Sequence, residues 1–200
     1  MAFGTINELT SCKPINQYGL IKLEIDKVFL ESQNSDYDVV ILRPSSVFGM
    51  GGQALISICN NISQKSPLLN YFRKSLFGYR RLHLVPVETV VFALQFLCMS
   101  PQRFNQEVFI ISEDENPSNN YYDVENVLRE VLEIPAYVIP PILLPHALLK
   151  GLLRIKGSAE VDPDCYYSSS KLKDLGFVSP VDLLTSLRSF AAYYKQSHNK

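Results

Sequence analysis

Asp38-Val39-Val40-Ile41-Leu42-Arg43-Pro44-Ser45-Ser46-Val47-Phe48-Gly49 is the stretch on which the fold turns. Val39 to Leu42 are consecutively apolar and mostly β-branched, with no in–out alternation. That is the pattern of a short strand covered on both faces of a parallel sheet. Glu107 to Ser112 reads the same way, and Leu82 to Val87 reads as a further short strand. Two doubly covered strands cannot make a parallel sheet by themselves, because each needs a hydrogen-bonded neighbour and helices on both faces. The expectation is therefore that earlier strands precede Met1.

Outward from this stretch the chain alternates strand and helix. Pro14 to about Ser32 reads as a helix, with Pro14 suited to its first turn and Leu20, Ile21, Leu23, Ile25, Val28, Phe29 and Leu30 giving a wide apolar face. Pro44 to Gly52 reads as a loop. Ala54 to Ser63, Thr89 to Met99, Tyr122 to Leu132, Leu143 to Arg154, Ser170 to Leu175 and Val181 to Tyr194 read as helices.

Composition narrows the function classes. Hydrophobic residues make up 46% and charged residues 20%, the balance of an ordinary globular chain. A formal net charge of −1 offers no field for nucleic acid or for an anionic membrane surface. Cys12, Cys59, Cys98 and Cys165 form no C-x-x-C pair and have no histidine at metal spacing, so they read as buried reduced thiols and no metal is expected. The most apolar stretch, Ile139 to Leu153, is interrupted by Pro140, Pro141 and Pro145 and carries Lys150, which makes it too short and broken to span a bilayer. With no basic-then-apolar leader at the N-terminus, the expected location is the cytoplasm.

Tyr18-Gly-Leu-Ile-Lys22 sets a phenol and an ammonium four residues apart inside the first helix, hence on one face. A neighbouring cation stabilises a phenolate, which suits a tyrosine that exchanges a proton with a hydroxyl while a hydride moves to or from nicotinamide. Spacing alone is weak: with 11 tyrosines, a Y-x-x-x-K match is expected about once or less by chance. A second match, Tyr167-Ser-Ser-Ser-Lys171, places its serines as a cap ahead of a short helix that ends at Gly176, leaving Tyr167 outside that helix. Gly49-Met-Gly51-Gly-Gln-Ala54 fits G-x-G-x-x-G/A literally, but Pro44 to Phe48 part it from the strand and Asn70-Tyr-Phe-Arg-Lys74, about 20 residues on, is basic where an acid is required. The loop reads instead as one lining a ligand site.

Several segments, taken together and in order, resemble the C-terminal two-thirds of extended short-chain dehydrogenases/reductases of the NAD-dependent epimerase/dehydratase family. Phe3-Gly4 looks like the end of S-x-x-V-Y-G. Pro14 to Lys22 is similar to P-x-x-x-Y-G-x-S-K, with Ile21 in place of Ser. Leu42 to Gly49 is similar to L-R-P-x-N-V-Y-G, with Ser46 in place of Asn. Arg81 to Thr89 looks like the stretch ending in H-V-D-D-V-A, with Thr89 for the second Asp, and Leu175-Gly176-Phe177-x-x-Pro180 is similar to L-G-[WF]-x-P.

The resemblance implies an α/β fold: the C-terminal portion of a Rossmann-type doubly wound parallel sheet (residues 1–50 and about 82–112) with a smaller, mostly helical substrate lobe (about 51–81 and 113–200), together one incomplete domain. It implies Tyr18 as acid/base and Lys22 as its partner on the nicotinamide ribose. Pro44, Ser45, Ser46 and Val47 would line the nicotinamide of NAD or NADP. Ser46, the loop from Phe48 and Gly49 to Leu55, and Arg81 (with Arg80, or the position of Leu82, as alternatives) would meet a nucleotide-sugar and its diphosphate. Most of the cofactor site, including G-x-x-G-x-x-G and a catalytic Ser/Thr, would fall before Met1. A homodimer through the Tyr18 helix is also implied. Two other readings stand beside this one: a non-catalytic remnant that binds a nucleotide-sugar or a partner protein, and a reductase of a non-sugar carbonyl.

Overall fold

A computed structural model describes residues 4–14, 16–32, 37–145, 151 and 165–198. In chain order the elements are β1 (Thr5–Ile6), α1 (Gln17–Leu30), β2 (Val40–Pro44), β3 (Ser46–Phe48), α2 (Gln53–Gln64), α3 (Pro67–Phe77), β4 (Leu84–Pro86), α4 (Val87–Met99), β5 (Glu107–Ile111), α5 (Tyr121–Val131), β6 (Tyr166–Tyr167), α6 (Ser170–Asp174) and α7 (Leu183–His198). All three strand pairs are parallel: β2 with β5, β3 with β4, and β1 with β6. The fold is α/β, as expected.

Local chemistry sets the ends of these elements. Asn16 caps α1 through Oδ1, which accepts the Gly19 N–H at 2.8 Å, and Asn120 caps α5 by accepting from Asp123 at 2.9 Å. The register of β2 against β5 runs from Val40 opposite Glu107 to Pro44 opposite Ile111. It is pinned at its start by the Asp38 carboxylate, which accepts the N–H groups of Phe104 (2.6 Å) and Asn105 (2.8 Å). Asn105 and Gln106, both with positive φ, then turn the chain into β5.

Two cores flank the strands. One joins Phe48 and Leu84 to Leu55 and Cys59 of α2, Val124 and Leu128 of α5, and Leu187 and Phe190 of α7. The other joins Val85 and Phe109 to Ala93 and Leu97 of α4, with Leu172 and Phe177 closing it. The L-G-F-x-x-P segment has a plain physical reading here: Gly176 takes φ +92 to end α6, which delivers Phe177 against Phe92 and Phe96.

Several sequence expectations change. Val40 to Arg43 are half-buried rather than covered on both faces, and α1 has no buried residue: Leu20, Ile21, Ile25, Val28 and Phe29 are all exposed. Residues 46–48, read as loop, form β3 because their backbone groups find β4. Helix α3 was not among the expected helices; the residues it buries are Asn70, Lys74 and Ser75, while Leu68, Leu69 and Phe72 are exposed. Cys59 and Cys165 are buried, but Cys12 and Cys98 are exposed. Of the expected helix over Leu143 to Arg154, residues 143–145 are not helical and most of the remainder lies outside the described residues. No helix among the described residues is long and apolar enough to cross a membrane.

Strand β4 has β3 on one edge and a side chain on the other. Asn119 Oδ1 accepts the Leu84 N–H at 3.0 Å and its Nδ2 donates to the Leu84 carbonyl at 2.9 Å, so one buried amide replaces a neighbouring strand. Asn119→Ala leaves both backbone groups of Leu84 buried and unpaired, and is expected to cost about 2–4 kcal/mol in urea unfolding. A loss within error of zero shows that the amide does not hold this edge.

Candidate active site

Between β2 and β3 the chain changes partners without a turn. The Ser45 N–H donates to the Ile111 carbonyl of β5 at 3.0 Å, and the next N–H, of Ser46, donates to the His83 carbonyl just before β4 at 2.8 Å. Where the two partner strands diverge, a cavity of about 390 Å³ opens at the carboxyl ends of β2 and β5. Crevices at such positions are where open parallel sheets bind ligands. Pro44, Ser45 and Ser46 form one wall; Ile6 and Tyr167, from the β1–β6 pair, and His83 also line the cavity, together with Cys12, Arg43 and Leu82. The Ser45 hydroxyl is buried without a hydrogen-bond partner.

Tyr18 and Lys22 share the exposed face of α1, as their spacing requires. The Lys22 ammonium lies 5.7 Å from the Tyr18 ring centroid, within cation–π range, and Tyr18 is 71% exposed. Neither lines the cavity; the link from α1 to it runs through Arg43, whose guanidinium pairs with Asp26 of α1 at 2.8 Å and reaches the Cys12 sulfur at 3.4 Å. The second Tyr–Lys match is not a pair: Tyr167 is in β6, while Lys171 in α6 bonds Glu107 and the Val108 carbonyl.

The loop after β3 departs from expectation in two ways. Phe48 and Leu55, expected toward the substrate, bury their side chains in the helical core, because β3 and α2 pack there on α5 and α7. The glycine run has a strand directly before it after all, β3, and a helix opening at Gln53 with Gly52 as cap. A Cβ at Gly49 would collide with the Val87 side chain, which would have to shift to admit it. Val47 is half-buried against the sheet-side core. Arg81 stacks 5.2 Å over the Tyr166 ring and pairs through its backbone with Asn120, whereas the neighbouring Arg80 lies over Phe77 at 5.8 Å, its guanidinium lowered from its ordinary value chiefly by burial. Thr89, in the place of the second Asp, is buried and shares a 2.9 Å hydrogen bond with Ser179.

One cluster had no sequence signal. His83, at φ +56, sets Nδ1 2.7 Å from Asp114 Oδ2 and Nε2 3.3 Å from Cys165 Sγ. The same Asp114 oxygen accepts the Tyr167 N–H at 2.8 Å, and the Tyr167 ring meets the imidazole edge-on at 5.0 Å. Burial opposes protonation of this ring. The hydrogen bonds and charges of Asp114 and Cys165 outweigh it, and the imidazole is raised from 6.5 to about 9. These residues are 31 and 82 positions apart, so no local spacing could have gathered them. Among the described residues, no group of three or more His, Cys, Asp or Glu is arranged to hold a metal ion.

No protein-family model matches the chain. It is 24% identical to a UDP-glucose 4-epimerase of Vibrio cholerae, over 94% of this chain and 56% of the relative. It superposes on a dTDP-glucose 4,6-dehydratase of Bacillus anthracis solved with NAD (TM-score 0.59, 14% identity, 98% of this chain and 57% of that one). It also superposes on a UDP-glucose 4-epimerase of Thermotoga maritima solved with UDP-glucose (0.55, 20%, 92% and 55%). A third match is the enzyme WbmF of Bordetella bronchiseptica solved with NAD+ and UDP (0.56, 16%, 97% and 57%). The chain thus has the fold of Rossmann-type epimerases and dehydratases and spans a little over half the length of each. The resemblance to extended short-chain dehydrogenases/reductases carried by the motifs extends to the three-dimensional fold.

Because the folded value of His83, about 9, lies above the free value of 6.5, its protonation stabilises the fold fully below pH about 6.5 and ceases to do so as pH rises through about 9. Melting temperature is therefore expected to fall between about pH 7 and about pH 10. Asp114→Asn should lower the plateau and flatten that fall; an unchanged slope in this variant assigns the pH dependence to other groups.

Proposed function

We propose that this chain is the tyrosine-bearing and substrate-lobe portion of an NAD(P)-dependent oxidoreductase of nucleotide-linked sugars, working as an epimerase or dehydratase. The carrying observation is the cavity at the β2–β3 partner switch, walled by Pro44, Ser45 and Ser46, in a fold shared with enzymes whose structures hold NAD, UDP-glucose or UDP. The residues fit one end of the cofactor. The unpartnered Ser45 hydroxyl is a free group for the nicotinamide amide or ribose, whereas residues 1–200 contain no G-x-x-G-x-x-G turn for the pyrophosphate. The phosphate-binding turn then belongs to sequence outside this span, and the apolar stripe of α1 is the surface on which that part of the enzyme packs.

In this reading Tyr18 exchanges a proton with a sugar hydroxyl, and the Lys22 ammonium beside its ring stabilises the phenolate form. Nicotinamide, when bound, supplies the hydride acceptor and donor. Ser46 hydrogen-bonds the sugar, and Arg81, held by Tyr166 and Asn120, presents its fork of donors to the diphosphate. The exposure of Tyr18, off the cavity wall, favours one competing reading, a chain that binds a nucleotide-sugar without turning it over.

Two measurements decide. Titration calorimetry of residues 1–200 is expected to show no micromolar binding of NAD or NADP, and clear micromolar binding contradicts the assignment of the phosphate turn to other sequence. In a polypeptide that also carries that turn, Tyr18→Phe should lower turnover of UDP-glucose or dTDP-glucose by about 10²–10⁴-fold with cofactor affinity intact. Retained turnover removes Tyr18 from the chemistry. Nucleotide-sugar binding without turnover in the parent polypeptide favours the binding-only reading.

A further inference from the structure

One residue of the cavity lining, His83, belongs to a constellation the epimerase chemistry does not use. We propose that Cys165, His83 and Asp114 form a thiol–imidazole–carboxylate relay beside this cavity, a nucleophilic site for a small carbonyl compound. The geometry has the order such relays need: Sγ to Nε2 at 3.3 Å, Nδ1 to Oδ2 at 2.7 Å, and a carboxylate held in turn by the Tyr167 N–H at 2.8 Å. Relays of this kind are identified by distance and role, not by chain order.

Each member is placed by a different element. Strand alternation puts Cys165 and Tyr167 on one face of the β6 segment, toward His83, and Tyr166 on the other, toward Arg81. The left-handed backbone of His83, just before β4, turns its ring back toward that face. Asp114, 2% exposed, follows β5, and its Oδ1 has no hydrogen-bond partner, so the neighbouring imidazole is the charge that balances it.

Cys59 supplies the contrast. It is also buried, but against apolar neighbours with no imidazole, and burial pushes its thiol up to about 12. The two buried thiols thus differ in chemistry rather than in exposure. Cys165 is 3% exposed and stands behind His83 and Tyr167, both of which line the cavity; this limits its ligand to a few heavy atoms, such as a short aldehyde. In the step itself Sγ attacks the carbonyl carbon and a C–S bond forms as the C=O π pair moves onto oxygen. That oxygen takes the proton carried by His83 Nε2, and the Sγ proton replaces it on the ring. The product is a hemithioacetal, formed reversibly with no net oxidation.

The test needs no cofactor and is independent of the oxidoreductase reading. The 200-residue chain is treated with methyl methanethiosulfonate, which forms a disulfide with loss of methanesulfinate, and the four cysteine peptides are timed by mass spectrometry. Cys165 is expected to react at least about tenfold faster than Cys59, and glycolaldehyde should slow Cys165 by a larger factor than the exposed Cys12 and Cys98, with recovery on dilution. His83→Asn, a residue that accepts a left-handed backbone, should slow Cys165 by about tenfold while leaving Cys12 and Cys98 unchanged. Reaction of Cys165 at the rate of Cys59, or no protection by the aldehyde, overturns the proposal. An unfolded His83→Asn announces itself by rapid labelling of Cys59, and Asp114→Asn then takes its place in the comparison.

Discussion

The structure depends on one switch of backbone hydrogen bonding. An extended run from Val40 to Phe48 must pair its N–H and C=O groups, and it does so with β5 up to Ser45 and with β4 from Ser46 onward. Had the run kept one partner, β4 and β5 would not be parted at this point. Because the switch occurs between adjacent residues, the strands diverge and leave the cavity at their carboxyl ends. The sheet-side core forms under β2 and β5 and the helical core around β3 and the start of β4, so the same switch assigns each helix to a side.

This constraint explains what could be read in advance and what could not. Strand β5 and helices α2, α4, α5 and α7 were legible because each buries an apolar face whose spacing the sequence records, and β2 and α1 were legible from apolar spacing although neither has a fully buried residue. Strand β3 was not, since Ser46, Val47 and Phe48 follow a proline and acquire strand geometry only from β4, more than thirty residues away. Strands β1 and β6 are two residues each, below any periodic signal. Helix α3 was hidden for a different reason: it faces the interior with Asn70 and Lys74, which read as surface residues until their partners are known.

The site shows the same division. Pro44, Ser45 and Ser46 fall together because they are contiguous, and Tyr18 meets Lys22 because helical spacing requires it. Phe48 and Leu55 went astray because a motif gives a position along the chain but not the direction of a side chain, and both directions were already claimed by the helical core. The His83 cluster was invisible, since β4, the segment after β5 and the approach to β6 meet only once the parallel pairs have formed.

Two buried charged clusters test whether burial alone marks function. Lys74, 1% exposed, bonds Asn126, lies 4.0 Å from Glu125 and sits 4.3 Å over the Tyr122 ring, so its ammonium is enclosed; burial lowers its proton affinity and raises that of Glu125. Its hydrogen-bond partner Asn126 and its neighbour Glu125 both belong to α5, so that lysine fastens α3 to α5. The His83 group differs at its far end. There the last member is a sulfur with electron pairs to give rather than a satisfied amide, and the ring bonded to it lines open space. Burial that ties two helices together argues for architecture. A buried charge whose chain ends in a nucleophile beside a cavity argues for chemistry, which is why the second cluster and not the first carries the inference.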